Sequence, residues 1–373
     1  MFDLNLSDER MAVSGLARGL GLDVLSPAAK DAERQRAVPP AIRRALHETG
    51  LTTVVDEAHG GGGVPDICTH MIAVEALAYG DPALTMAAMW SGSAAIVIGR
   101  CGTDDQRADH LPSLAGDADI NSAVAMYEGF GRAPSESHTT IGRAADGTWR
   151  VVGRKLAVPL ASTATPLIVI GVDPGDGRLR AALVRTDGPG VTITRADDGL
   201  ALAPIPLFTV ELDTAIEESA LVGGPDADGA ALELAVGWLR LLVAASQCGA
   251  AQRATDYASK YATERIAFGK PIATFQGVSF LLADSALRIG AARLEMLDAA
   301  AHLDAAWPES ERVVTNAVNY AGVVATTATR DAIQVLGGHG FITDHPVEIW
   351  YRTTAALSVL DIDPLLSNFE PAL

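Results

Sequence analysis

The spacing of apolar positions changes character twice along the 373 residues. Up to about residue 118, apolar side chains recur at helical intervals, with breaks at Pro39–Pro40, Gly60–Gly63 and Asp81–Pro82. This predicts a helical N-terminal domain over 1–118, and Ser7 followed by Asp8 and Glu9 predicts a capped helix start. Over 119–213 the period shortens to two: Val191 and Ile193 alternate with Thr192 and Thr194, and Phe208, Val210 and Leu212 with Thr209 and Glu211. A middle β domain, β-sandwich-like, is expected there, with a hairpin turn at Asp146–Gly147. Beyond Pro225 the helical period returns over roughly 229–263, 274–304 and 309–336, with a shorter stretch near 345–357. Phe275, Val278, Leu282 and Ile289 fall on one face of the second of these. Residues 214–373 therefore read as a C-terminal four-helix bundle. Helices, then strands, then helices make an α+β order and give no support to alternating βαβ units.

Composition narrows the partners. Lys+Arg 28 minus Asp+Glu 46 leaves a net charge of −18, which repels a phosphate backbone and argues against nucleic acid. Cys68, Cys101 and Cys248 are scattered without a CxxC pair, so neither a disulfide framework nor a zinc site is expected, and a reducing cytoplasmic setting fits. The opening MFDLNLSDER has no basic region followed by an apolar stretch, so no secretory signal is visible. The longest nearly apolar segment, Leu232 to Ala251, contains Arg240 and Gln247 and reads as a core helix, not a membrane span.

Two clusters in the last third stand out chemically. The first runs from Arg265 through Phe268-Gly269-Lys270-Pro271 to Gln276, between two predicted helices. By residue type alone the plainer reading is an ordinary helix–helix connection. The second is Gln334-Val335-Leu336-Gly337-Gly338-His339-Gly340-Phe341, where bare glycines let backbone approach a ligand, or simply end a helix. His339 has no neighbouring carboxylate to orient it and reads as a turn residue, Trp90 reads as packing, and Gly60–Gly63 lacks the Gly-Lys-Ser/Thr of a phosphate loop.

Together, in this order and at this separation, the two clusters resemble the acyl-CoA dehydrogenase family, and the resemblance covers nearly the whole chain. Leu111-Pro112 after Gly102-Thr103, the run Gly147 to Lys155, and Pro346-Val347-Glu348 before Tyr351-Arg352 match as well. The resemblance implies the acyl-CoA dehydrogenase fold and FAD as cofactor. It implies that Arg265, Phe268 and Gln276 grip the FAD of a neighbouring subunit, and that Gln334, Gly337 and Gly338 contact its adenosine diphosphate half. A tetramer, homomeric or heteromeric, follows from that sharing.

The reaction implied is α,β-dehydrogenation of an acyl-CoA, with a carboxylate removing the α proton while hydride leaves for flavin N5. Counting from the Gly-Gly turn, the family's catalytic glutamate becomes Asp361, with Asp363 a poorer candidate by position. Arg240 matches an arginine near the substrate, and the family's alternative base position is Leu239, which closes that route. An electron-transfer flavoprotein is the implied electron acceptor.

The middle domain departs from the family pattern. A Thr-Glu-Pro stretch and Gly-Ser-Asp turn correspond to Ala125–Gly129 and Arg132–Ser135, and Pro159 replaces the threonine expected to hydrogen-bond near flavin N5. An aspartate is also a methylene shorter than glutamate, and a displacement of about 1 Å costs roughly 10²-fold in rate. Two assignments therefore stand side by side: a dehydrogenase with Asp361 as base, or a non-catalytic subunit that donates FAD contacts to a partner. The latter would resemble the heteromeric α2β2 enzymes that actinobacteria use on sterol-side-chain thioesters.

Overall fold

The computed structural model describes residues 6–129, 137–196 and 199–361. Arg132–Ser135 and Asp363 lie outside the described residues. The first helices are α1 (Asp8–Leu20), α2 (Ser26–Gln35), α3 (Pro40–His47), α4 (Ile67–Ala78), α5 (Pro82–Ser91), α6 (Ser93–Cys101) and α7 (Asp104–Gly116). Side-chain caps set their starts. Ser7 Oγ accepts from Arg10 N, Asp66 from Thr69 N and Asp81 from Leu84 N, and Thr103 with Gln106 forms a capping box at α7. Helices α4 and α5 are buried along almost their whole lengths, as their near-continuous apolar sequence requires.

The middle strands are β1 (Asn121–Ala125), β2 (Thr140–Arg143), β3 (Trp149–Pro159), β4 (Ala164–Val172), β5 (Leu179–Val184), β6 (Val191–Arg195) and β7 (Leu207–Ile216). Instead of two separately bonded layers, they form one seven-stranded sheet in the order β1-β4-β2-β3-β7-β6, with β5 paired to β4. The alternation along each strand explains this. Ile141, Trp149, Val151, Leu167, Val169, Phe208, Val210 and Leu212 share a core of their own, while Val124, Ile168 and Ile170 point the other way into the helical core. The β2–β3 turn contains Asp146, whose Oδ1 accepts from Thr148 N, and Gly147 at φ +85°.

The last third comprises α8 (Ala230–Glu264), a two-stranded hairpin of β8 (Ile266–Ala267) and β9 (Lys270–Pro271), α9 (Gln276–Asp304), α10 (Ser310–Leu336) and α11 (Val347–Leu357). Helix α8 is long and apolar enough to cross a membrane by composition, yet 94% of its apolar window is buried against protein, so it is the central core helix. One buried polar contact fixes α8 against α4. Trp238 Nε1 donates to His70 Nδ1 at 3.0 Å, and His70 Nε2 donates to Leu51 O at 2.9 Å. The imidazole must be neutral to accept on Nδ1, and burial, opposed only in part by the Leu51 hydrogen bond, pushes its pKa down to about 4.

The folded pKa of His70 lies below the ordinary imidazole value of about 6.5. Its contribution is therefore complete above pH ~6.5 and is lost as pH falls toward 4. In urea titrations across this window, wild-type protein is expected to lose about 3 kcal/mol more stability than a His70→Gln variant. Parallel pH profiles for the two would contradict the assignment.

Candidate active site

Helix α8 presents Leu239, Arg240 and Val243 toward the junction of the helices with the sheet. A charge in the middle of an apolar helix needs an anion. Arg240 Nε donates to Asp361 Oδ2 at 2.7 Å, with side-chain exposures of 9% and 17%. Helix α11 ends at Leu357, and the turn that follows carries the chain through Leu360 to Asp361. One oxygen of the carboxylate is anchored in this way, and Asp361 Oδ1 has no protein donor among the described residues.

Around this pair is an inner cavity of about 50 Å³. It is walled by Trp90 from α5, Val124, Met126 and Tyr127 at the end of β1, and Leu156 to Pro159 at the end of β3. Tyr127, Ala157 and Leu360 also border a second, outer cavity of about 490 Å³ between the β6–β7 loop and α11. The segments 125–129 and 157–159, matched by sequence to the family's flavin side, thus meet Arg240 and Asp361 around adjoining cavities. Pro159 closes the end of β3 opposite Leu207 and brings no hydroxyl or N–H to the wall.

Glu128 is not available as a base. Lys155 Nζ donates to Glu128 Oε1 at 2.7 Å and to Met126 O at 3.0 Å, with side-chain exposures of 1% for Lys155 and 5% for Glu128. The same carboxylate accepts from Ser137 Oγ, His138 N and Thr139 N. Burial acts to raise its pKa, but the Lys155 charge and these hydrogen bonds overcome it and hold the group far below the usual carboxylate range. The pair fastens the end of β1 to β3 and to the start of β2. The sequence kept the glutamate and the lysine, but nothing in their spacing marked them as partners.

The six FAD-contact candidates lie elsewhere. Arg265 follows α8, and its guanidinium has no partner among the described residues. Phe268 and Gly269 form the tip of the β8–β9 hairpin at φ 51° and 80°. A phenylalanine at positive φ is strained, and this one is 96% exposed, its ring meeting only the edge of Phe275 at 6.2 Å between centroids among the described residues. Gln276 opens α9 and is exposed, as is Gln334 in the last turn of α10. A Cβ added at Gly337 or Gly338 would meet nothing within 4 Å, and Gly338 has no positive φ, so its bareness is not required by the fold itself. None of the six lines either cavity. His339 accompanies them, with Nδ1 within 3.0 Å of Tyr261 Oη and its ring stacked on His345. Along α9, Phe280, Leu287 and Leu294 recur every seven residues at 66%, 75% and 47% exposure, an apolar stripe on an open face.

Comparison with known proteins agrees with this architecture. Residues 7–117 match the family model for the acyl-CoA dehydrogenase N-terminal domain, and 229–361 match that for the C-terminal domain. The probable acyl-CoA dehydrogenase FadE25 of Mycobacterium tuberculosis is 28% identical over 94% of this chain and 91% of its own length. An acyl-CoA dehydrogenase of Bacillus subtilis is 28% identical over 96% and 95%. The solved butyryl-CoA dehydrogenase of Megasphaera elsdenii superposes with a TM-score of 0.85 at 25% identity, covering 98% of this chain and 97% of that one. The chain belongs to the acyl-CoA dehydrogenase family, FAD-dependent oxidoreductases that act on the CH–CH bond of acyl-CoA thioesters.

Proposed function

We propose that this chain catalyses α,β-dehydrogenation of an acyl-CoA thioester, with Asp361 taking the α proton and Arg240 holding the carboxylate in position. The observation that carries the reading is the Arg240–Asp361 hydrogen bond inside a mainly apolar cavity, with no donor to Asp361 Oδ1 among the described residues. Fixing Oδ2 orients the other oxygen, and a rigid carboxylate offsets part of what the shorter aspartate side chain loses in reach. Apolar walls from Trp90, Val124 and Val243 keep water from competing for the proton.

The residues present fit FAD. The guanidinium of Arg265, without a partner among the described residues, suits a pyrophosphate, Gly337 and Gly338 leave their backbone open to close approach, and exposed Phe268 offers an apolar edge. Arg265, Phe268, Gln276, Gln334, Gly337 and Gly338 would hold the cofactor of a neighbouring subunit, while Tyr127, Ala157 and Leu360 border it in their own chain. FAD supplies, when bound, the acceptor for the β hydrogen that leaves as hydride. A site divided in this way needs at least two chains, homomeric or heteromeric, and the apolar stripe of α9 is a surface for such an assembly. Electron-transfer flavoprotein is the proposed acceptor of the electrons.

A second reading is favoured by Pro159 and by the ion pair itself: with a flavin-side donor missing and Asp361 tied to Arg240, the chain would be a non-catalytic subunit that lends its six contacts to a partner's FAD.

Asp361→Asn separates the two. Under the first reading, turnover of acyl-CoA by the assembled enzyme falls by about 10²–10⁴-fold with flavin content unchanged. Under the second, turnover hardly moves. Arg265→Ala is expected to lower bound flavin absorbance per chain without changing the native mass. Leu287→Glu should dissociate the assembly and release flavin with it, as size-exclusion chromatography with flavin detection would report.

A further inference from the structure

The inner cavity has Trp90 in its wall. It meets the outer cavity at Tyr127, Ala157 and Leu360, and Asp361 stands next to that opening. Trp90, Ser93, Ala123 and Val243 are among the other residues of its wall. Trp90 lies in the last turn of α5, and the junction with α6 that follows it is held on several sides. Ser93 Oγ donates to Trp90 O at 2.8 Å, Ala94 N donates to Ser122 Oγ at 3.0 Å, and Ser122 Oγ donates to Ser91 O at 2.9 Å, which joins the turn to β1. From another side Thr52 lies so close that a Cβ at Gly92 would stand 1.8 Å from its carbonyl oxygen. The backbone that carries the indole is thus tied to both α6 and the sheet, and the side chain itself is buried against the cavity.

The cavity volume is about 50 Å³. On the scale where one water needs roughly 10–15 Å³, that is room for about four groups of water or methylene size. We infer that Trp90 sets the length of the acyl group, and that the substrates are short acyl-CoA thioesters of about four carbons. The inference rests on the dehydrogenase reading, because it takes the space beside Asp361 to be where the acyl chain lies. A longer chain would have to displace the indole, whereas the short one fills the apolar end and leaves its α carbon beside the carboxylate.

The test is binding, measured by titration calorimetry on the assembled, flavin-loaded protein. The probes are two unreactive 3-thia-acyl-CoA thioesters, in which sulfur replaces the β carbon and no α,β double bond can form, with acyl chains of four and eight atoms. Wild type is expected to bind the short analogue at least about tenfold more tightly. Trp90→Leu should bring the two within about threefold or reverse their order. Val243→Ala enlarges the same end from α8 and should shift the ratio in the same direction, which keeps the test informative where the tryptophan variant does not fold. Equal or tighter binding of the longer analogue by wild type overturns the inference while leaving the dehydrogenase reading intact. Binding of neither analogue overturns both.

Discussion

Arg240 lies in the middle of a 35-residue core helix whose neighbours on every side are buried, and a guanidinium in that setting must be answered by an anion. The answer comes from Asp361, 121 residues further on, just after the last helix. Leaving either charge alone at such a place costs on the order of 3–5 kcal/mol, so the pair fixes where the end of the chain crosses the bundle. It also fixes a carboxylate beside a narrow apolar cavity. The contact that closes the structure at this point is the same one that orients the candidate base.

A second buried ion pair does complementary work on the opposite wall. Lys155 and Glu128 satisfy each other and several backbone groups, and so hold the ends of β1 and β3 at the distance that forms the cavity. The two acidic groups near the site thus have separate roles. Glu128 is saturated with donors and electrostatically fixed as an anion, whereas Asp361 has one anchored oxygen. The exposed side of the C-terminal bundle is different in kind. Phe268 sits exposed in a strained turn with only an edge contact to Phe275, the backbone of Gly337 and Gly338 is open, and the apolar stripe of α9 is exposed among the described residues. They are intelligible as the half of a site that a neighbouring protomer completes.

Much of this was legible in the sequence because periodicity reports which faces are buried. The four C-terminal helical stretches begin and end within about two residues of the spans read from apolar spacing. Gly147 takes the positive φ expected of the Asp146–Gly147 turn. The single sheet was not legible, because period two says that a strand has two faces but not which strand it pairs with. Trp90, taken from sequence as packing, is indeed buried at 9% exposure but also walls the cavity, a distinction that only the position of β1 and α8 opposite it reveals. The Arg240–Asp361 and Glu128–Lys155 bonds escaped a sequence reading for the same reason: each side chain is ordinary alone, and each pairing joins positions far apart along the chain that meet only once their own domain has folded.

Proton removal by Asp361 is the claim on which the account turns, and it can be observed apart from the redox step. The measurement is deuterium incorporation at the α carbon of butyryl-CoA, followed by mass spectrometry in D2O with the flavin-loaded assembly. The expected result is exchange by the wild-type protein that disappears in Asp361→Asn while flavin stays bound. Exchange that persists undiminished in the variant would contradict it and place the base on another residue or another chain.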